Sequence, residues 1–276
     1  MALSMMAPPM NPHHLPDALL SRVEDAGINA SAPPQQRWID GWLLRFSPGK
    51  AKRARCVQAV GAGRLPLDER LALCAAVLRD AGLPLVLRLT PFSQPAGLDQ
   101  ALADRGFHRL DDTRVMVLPA LSASPAEPPC TAQRWPDGLR LERLSAAEFA
   151  AAVGGLRGSP VHQRDAQAQR LALSPVPYQG WALRRRTDGA VLACGQTAIE
   201  ADLVGLYDVF CHPQARGQGL ARQLCAALLT QARAAGARVA YLQVDADNAP
   251  ARAIYHRLGF ADAYAYHYRT PEQNPG

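Results

Sequence analysis

The stretch HPQARGQGLARQL, His212–Leu224, joins a glycine-rich, basic turn to the start of an apolar helix pattern. The first turn of a helix leaves main-chain N–H groups unpaired, and the helix dipole makes that end positive. Glycines let the backbone approach a ligand closely and adopt positive φ. The stretch therefore predicts an anion site of a size that suits a diphosphate. Taken alone, it is equally compatible with a surface turn that binds nothing.

Two other phosphate motifs do not match. A dinucleotide fingerprint needs a third glycine, but Gly217-Gln218-Gly219 is followed by Leu220, Ala221 and Arg222. A P-loop needs Gly-Lys-Ser/Thr, which the turn lacks.

The order of elements around the turn occurs twice in the chain. Helix, glycine stop, strand, short helix, Gly-Phe and strand follow one another in both halves, with Gly82 answering Gly236 and Gly106-Phe107 answering Gly259-Phe260. Only the second copy has the glycine turn. The stretch PALSASPAEPPC lies between the copies and is typical of a linker. We therefore predict a disordered leader at 1–15, a first unit at 16–120, a linker at 121–137 and a second unit at 138–276.

Composition narrows the function classes. The 276 residues are 48% hydrophobic and carry a net charge of +6, which suits small acidic ligands but falls short of a nucleic-acid footprint. The six cysteines and seven histidines have no metal-ligand spacing, so no metal site is predicted. No secretory signal and no apolar run of membrane length occur, which predicts no membrane contact and a cytoplasmic location.

Two further segments have open interpretations. The basic run KAKRAR, Lys50–Arg55, is predicted to be a solvated loop, and the alternative is that it reaches an acceptor pocket and favours an acidic acceptor. The closing YAYHYR puts Tyr264, Tyr266 and Tyr268 on one face of a strand. We predict an edge strand there, and the alternative is the wall of an acceptor pocket facing the first unit.

A second motif supports the glycine turn. NAPARAIYHRLGF, Asn248–Phe260, stands a helix and a strand downstream of RGQGLA. Together the two motifs resemble the signatures of the GNAT N-acetyltransferase superfamily, and the resemblance covers the second half of the chain. The resemblance implies an α/β (α+β) fold of two tandem GNAT-like domains, each a mixed, mostly antiparallel twisted sheet flanked by helices. The first copy resembles a degenerate GNAT domain.

The resemblance implies an acetyl-CoA-dependent acyltransferase that acts on the primary amine of a small molecule by direct transfer in a ternary complex. Main-chain N–H groups from Gln214 to Ala221 would hold the diphosphate of coenzyme A. The strands LYDVFC and AYLQV would splay apart to admit the pantetheine arm. The implied cofactor-binding residues are Val209, Phe210, Cys211, Gln214, Arg216, Gly217, Gln218, Gly219, Leu220, Ala221, Arg222, Asn248, Ala251 and Tyr255.

Two side chains are the catalytic candidates. Tyr255 stands where the family carries the tyrosine that protonates the departing thiolate. Asp208 is predicted to be the general base, and the alternative is that it only orients substrate or a neighbour. The weaker base candidates are Tyr207, Glu200 and His212. Cys211 is predicted to be a strand residue and not a covalent acyl carrier, since no His/Asp partner is spaced for it.

Two other function classes stay open at this point. One is a protein or peptide N-acetyltransferase, which would need an open groove. The other is a non-catalytic CoA-binding module. The tandem arrangement is compatible with either a monomer or a homodimer.

Overall fold

The computed structural model of the chain describes residues 15–121, 135 and 138–271. Residues 1–14 of the predicted leader and most of the predicted linker lie outside these residues. The unit boundaries at 16–120 and 138–276 stay predictions.

Both halves contain the helix, strand, short helix and strand of the predicted repeat, together with further strands and helices. In the first half the elements are α1 (Asp17–Ala30), β1 (Gln35–Ile39), β2 (Trp42–Phe46), β3 (Val57–Gln58), α2 (Leu67–Asp80), β4 (Leu87–Leu89), α3 (Leu98–Ala103) and β5 (His108–Leu118). In the second half they are β6 (Leu139–Leu144), α4 (Ala146–Arg157), α5 (Val161–Ala172), β7 (Tyr178–Arg185), β8 (Val191–Glu200), β9 (Leu203–Cys211), α6 (Leu220–Ala234), β10 (Val239–Asp245), α7 (Ala249–Arg257) and β11 (Ala261–Thr270).

Local chemistry explains several of these boundaries. Ser145 and Glu148 form a capping box at the start of α4, and Gly158 ends that helix in the left-handed conformation. Asp40 and Gly41 both have positive φ and close the β1–β2 hairpin. Strand β3 has only two residues. Before it, Lys52–Ala54 forms a short 3-10 turn, and the buried Arg45 guanidinium donates to the Arg53 carbonyl at 3.1 Å.

The strands of the described residues form one continuous sheet in the order β1-β2-β3-β4-β11-β5-β10-β9-β8-β7-β6. The order is nearly palindromic: β3 pairs in parallel with β4, β9 pairs in parallel with β10, and the antiparallel pair β11–β5 lies at the centre. The last strand of each half therefore lies beside a strand of the other half. The sheet is mixed and mostly antiparallel, and helices flank it, as predicted.

The central position of β11 corrects the prediction of an edge strand. Strand β11 is paired on both sides, with β4 and β5. Its three tyrosines, Tyr264, Tyr266 and Tyr268, are buried on one face as the alternation predicts. The sequence pattern of an amphipathic strand does not reveal whether both hydrogen-bonding sides are occupied.

Helices cover both faces of the sheet. In the second half, α6 and α7 pack on one face through residues such as Leu224, Leu228 and Tyr255. Helix α1 packs on the opposite face, where Val23 joins the β11 tyrosines in one apolar cluster. Helices α4 and α5 lie against β7 and β8. This arrangement leaves the carboxyl ends of β9 and β10 open between α6, α7 and the α4–α5 pair.

Candidate functional site

The glycine turn has the geometry that an anion site needs. Gly217 and Gly219 have φ of 78° and 74°, and Gly219 is the N-cap of α6. The main-chain N–H groups of 217–222 meet no acceptor among the described residues. They are the unpaired donors expected at a helix start, at the positive end of its dipole.

The run of free donors is shorter than predicted. The N–H of Gln214 donates to His212 Nδ1 at 3.2 Å, and the N–H groups of Ala215 and Arg216 donate to the carbonyls of His212 and Pro213. These three donors close the short 3-10 turn Pro213–Ala215. The available N–H groups therefore begin at Gly217 and not at Gln214.

Strands β9 and β10 separate as predicted. Their parallel pairing runs from Leu203 and Val239 to Leu206 and Leu242 and then stops. Beyond that point β9 contains a bulge, where its register against β8 shifts between Cys194 and Gln196. A V-shaped opening results between the two strands.

A cavity of about 570 Å³, here called the glycine-turn cleft, fills this opening. It is lined by most of the predicted cofactor residues, namely Val209, Phe210, Cys211, Arg216, Gly217, Gly219, Leu220, Ala221, Arg222, Asn248, Ala251 and Tyr255. Gln214 and Gln218 line a neighbouring cavity instead. Ala215, Cys225, Pro250, Ile254 and Arg257 also line the cleft and were not predicted.

Helix α7 supplies the polar groups on one wall of the cleft. The Asn248 side chain caps this helix, with Oδ1 accepting the Ala251 N–H at 3.2 Å, so its amide N–H donors remain for a ligand. The Tyr255 hydroxyl has no hydrogen-bond partner among the described residues. Burial raises the pKa of Tyr255, so this hydroxyl is protonated throughout the neutral range.

A second cavity of about 560 Å³, here called the Asp208 cavity, lies on the other side of the bulge. Its walls come from both halves of the chain: Ser31, Ser47, Gly49, Lys50, Ala51, Arg53, Ala54, Leu156, Arg157, Gly158, Ser159, Pro160, Gln163, Ala166, Gln167, Arg170, Asp208 and Phe210. Phe210 lines both cavities. The basic loop thus reaches this cavity through Lys50 and Arg53, whereas Lys52 pairs with Asp111 elsewhere.

Asp208 is the carboxylate on the wall of this cavity. Its Oδ1 accepts from Arg157 at 3.0 Å, and its Oδ2 accepts from Gln167 at 3.0 Å and Gln196 at 2.8 Å. Burial alone would raise the pKa of Asp208. The positive charges of nearby arginines, Arg157 first, outweigh burial and hold the pKa below its ordinary value.

The other base candidates are placed less suitably. The Tyr207 hydroxyl is buried and shares a hydrogen bond of 2.7 Å with Tyr241. Glu200, the last residue of β8, accepts a hydrogen bond from the Asn29 side chain. The Nδ1 atom of His212 accepts a hydrogen bond from the Gln214 N–H. None of the three lines the Asp208 cavity.

The cysteines near the site are not activated. Burial raises the pKa of Cys194 and Cys225 to about 12, and it also raises the pKa of Cys211. A thiol is nucleophilic as its thiolate, so these side chains are inert at neutral pH. The described residues contain no cluster of His, Cys, Asp or Glu that could hold a metal.

The first unit has closed the corresponding position with its own carboxylate. Asp40 in the β1–β2 turn accepts the main-chain N–H groups of Arg64 and Leu65 ahead of α2, and it pairs with Arg70 at 2.9 Å. Gly63 has φ of 71°, and a Cβ there would lie 2.4 Å from Asp40. The N–H groups of Arg64 and Leu65 before α2 are thus occupied, whereas those of Gly217 and Gln218 before α6 meet no acceptor among the described residues.

Several lining residues carry no family motif. Arg157, Gln167 and Arg170 come from α4 and α5, far from the glycine turn in sequence. The sequence carried one signal of these lining residues: Gln163, Gln167 and Arg170 recur at helical spacing and form a polar face on α5.

No described helix is long and apolar enough to cross a membrane.

Comparisons with known proteins agree with this geometry. Residues 145–260 match the model of the Acetyltransferase (GNAT) family. A mycothiol acetyltransferase of Saccharomonospora viridis is 30% identical over 179 residues, which span 59% of this chain and 58% of that protein. The uncharacterised N-acetyltransferase YobR of Bacillus subtilis is 26% identical over 85% of this chain and 91% of its own length.

A solved tandem GNAT protein from the clavulanic acid biosynthesis pathway has the same fold. The TM-score is 0.58 at 18% identity, over 77% of this chain and 72% of that one. The second half of the chain, at 145–260, thus matches the GNAT family of acetyltransferases, and the described fold is similar to that of a tandem GNAT protein.

Proposed function

We propose that this protein transfers an acetyl group from acetyl-CoA to the primary amine of a small molecule, directly and within a ternary complex. The observation that carries the proposal is that Phe210, next to the β9 bulge, lines both cavities. A thioester in the glycine-turn cleft and an amine in the Asp208 cavity would face one another there, without a nucleophilic side chain between them.

The glycine-turn cleft is suited to coenzyme A. The free N–H groups of 217–222 would hold the diphosphate, with Arg216, Arg222 and Arg257 adding positive charge. Asn248 would donate to the pantetheine amide. The N–H of His212 donates to Leu192 on β8, and donors alternate along a strand, so the N–H of Cys211 points to the cleft. Such donors would polarise the thioester carbonyl.

Tyr255 and Asp208 would carry out the two proton transfers of the reaction, one to the leaving thiolate and one from the amine. The protonated, unpartnered hydroxyl of Tyr255 would donate to the departing thiolate. Asp208 would accept the proton of the amine. A carboxylate with a lowered pKa is a weak base, but the arginines beside it also lower the pKa of a bound ammonium, which eases this transfer.

The size of the Asp208 cavity favours a small acceptor. A volume of about 560 Å³, enclosed by the 47–54 loop, α4 and α5, is in the range of small-molecule pockets. A peptide substrate would need an open groove past these elements.

The test measures CoA thiol release from acetyl-CoA with a panel of small amines and with lysine-containing peptides. We expect turnover of small amines, no acetylated protein by mass spectrometry of the chain incubated with acetyl-CoA alone, and about 100-fold lower kcat in Tyr255→Phe with unchanged CoA affinity. Stoichiometric acetylation of a cysteine would refute direct transfer. Turnover of peptides but not of small amines would refute the small acceptor, and CoA binding without turnover would indicate a non-catalytic module.

A further inference from the structure

We propose that the acceptor amine also carries an anionic group, a carboxylate or a phosphate, which is bound by basic side chains from both halves of the chain. This inference rests on the proposed function and specifies its substrate class. It starts from the charge of the Asp208 cavity and not from the charge of the whole chain.

The cavity is strongly basic. Lys50, Arg53, Arg157 and Arg170 line it, and among the described residues Asp208 is the one acid on its wall. Three positive charges thus remain in excess in a space the size of a small molecule. Positive charges gathered around a shared space repel one another, and an anionic ligand relieves that repulsion.

Much of the donor capacity of these cations is free. Lys50 has no hydrogen-bond or ion-pair partner within the described part of the chain. Arg157 uses one terminal nitrogen on Asp208. Arg170 reaches the Ala30 carbonyl at a long 3.5 Å and also interacts with Tyr178, over whose ring its guanidinium lies. Arginine forks bind carboxylates and phosphates in a bidentate manner, and lysine adds a point charge.

Arg53 is held in place as part of the wall. Its Nη1 donates to Gln243 at 2.9 Å, its guanidinium lies over the Tyr207 ring, and its carbonyl is bound by the buried Arg45. The positive charge from the first unit is thereby fixed against the second. Helix α5 adds to it, because Pro160 and Gln163 at its start line the cavity and its first turn carries no acid.

The two ends of the acceptor would be separated by this arrangement. The amine would lie at Asp208, next to the bulge and the thioester. The anionic group would point away from Asp208, toward Lys50 and Arg170. Since the amine end needs the carboxylate and the other end needs the cations, the cavity would discriminate against amines that lack the anionic group.

The experiment compares matched amines in the thiol-release assay. An ω-amino carboxylic acid is paired with its methyl amide, and an aminoalkyl phosphate with the corresponding amino alcohol. We expect at least a tenfold higher kcat/KM for the anionic member of one pair or both. Which pair shows the preference tells carboxylate from phosphate. Lys50→Ala and Arg170→Gln should reduce the preference, and Lys52→Ala, in the same loop but paired with Asp111, should not.

A second measurement separates this inference from the proposed function. Thermal shifts of wild type, Lys50→Ala and Lys52→Ala are recorded with succinate and with inorganic phosphate. Anion binding that depends on Lys50, without turnover of any amine, would support the anion site and refute the transferase proposal. Equal or better turnover of the neutral amines would overturn the inference and leave the transferase proposal standing, and so would turnover with no Lys50-dependent anion binding.

Discussion

Asp208 has an unusual backbone conformation, and both of its carboxylate oxygens accept hydrogen bonds. Its φ of 48° lies in the left-handed region, at the bulge where β9 changes register against β8. Such a conformation costs on the order of 1 kcal/mol or more in a residue that is not glycine, and it persists because the neighbouring contacts determine it. The bulge directs Asp208 to one cavity, while Val209 and Cys211 line the other.

Replacing Asp208 by Asn tests its role as the base. We expect Asp208→Asn to lower kcat/KM by about 10²–10⁴-fold, because the amide cannot accept the proton of the amine. The affinity for acetyl-CoA should not change, since Asp208 does not line the glycine-turn cleft. Asp165→Asn, an exposed position on α5 that lines neither cavity, is the control for a lost negative charge. Wild-type kcat/KM in Asp208→Asn would mean that the carboxylate is not needed.

The pH profile follows from the same residue. The lowered pKa keeps Asp208 ionised at every pH above the ordinary carboxyl range. The fall of kcat/KM on the acid side should therefore follow the pKa of the amine, and should move when amines of different basicity are compared. An acid limb that stays at one pH for all amines would instead assign it to a group of the protein.

The individual residues differ in how far the sequence could predict them. Gly219, Asn248 and Tyr255 stand in motifs of fixed spacing, and all three line the predicted cleft. The spacing on α5 indicates a polar face that includes Arg170, but the place of Arg157 and Arg170 beside Asp208 could not be predicted, because it depends on how α4 and α5 pack on the sheet. Nothing in the local sequence of those helices encodes that packing.

At the scale of elements, the glycine turn and α6 act together, and the first unit shows the alternative state. There, a carboxylate of the protein occupies the N–H groups ahead of α2. Ahead of α6 no such carboxylate is found among the described residues, and two glycines hold the turn open. The sequence predicted that only the second copy has the glycine turn. It did not indicate that Asp40 accepts the N–H groups of Arg64 and Leu65 in the first copy.

In Gly219→Asp, the introduced carboxylate should occupy the free N–H groups of the glycine turn, as Asp40 does in the first unit. An aspartate at the N-cap of α6 would place its negative charge at the N–H groups that are proposed to bind the diphosphate, and coenzyme A binding should be lost. Gly236→Asp is the matched control, because Gly236 also has positive φ but lies at the other end of α6. Calorimetric titration with CoA should show binding by the control alone. Tight CoA binding by Gly219→Asp would remove the turn from the cofactor site.

Asp40 should stabilise the first unit in a pH-dependent way. The N–H groups of Leu65 and Arg64 hold the pKa of Asp40 below its ordinary value. A carboxyl group whose pKa is lowered by folding contributes stability above its unfolded pKa, and this contribution is lost as the pH falls through the folded value. We expect Asp40→Asn to lower the Tm at neutral pH, with the difference from wild type shrinking below about pH 4. Asp165→Asn is again the control, and a Tm difference that stays constant with pH would contradict this role.

At the scale of the whole molecule, one continuous sheet contains the strands of both copies of the repeat. The repeat predicted two similar units, and the nearly palindromic strand order agrees with it. The sequence did not predict that β11 lies between β4 and β5, or that β5 lies between β11 and β10. Hydrophobic alternation specifies the buried face of a strand but not its neighbours, which depend on the connections through the rest of the chain.

Buried polar contacts reinforce this exchange of strands. Glu24 of α1 pairs with Arg88 of β4, and the Tyr264 hydroxyl of β11 donates to the same carboxylate at 2.7 Å. Arg88 also lies over the ring of Tyr266, 3.8 Å from its centroid. Removing one partner of a buried ion pair costs about 3–5 kcal/mol, because the other charge is left without compensation. Separating the two halves would expose the Glu24–Arg88 ion pair or remove its contacts with the tyrosines of β11.

The two halves should therefore fold together and not alone. A fragment of residues 138–276 would keep β10 and β11 but lose β5, which pairs with both of them. Unpaired strand edges and the uncovered tyrosine face would favour aggregation. We expect this fragment and the 1–120 fragment to be insoluble or poorly structured when expressed separately, and to form a soluble 1:1 complex that binds CoA when co-expressed. Size-exclusion chromatography and circular dichroism give the readout. A monomeric 138–276 fragment that unfolds cooperatively and binds CoA would show that the shared sheet is dispensable.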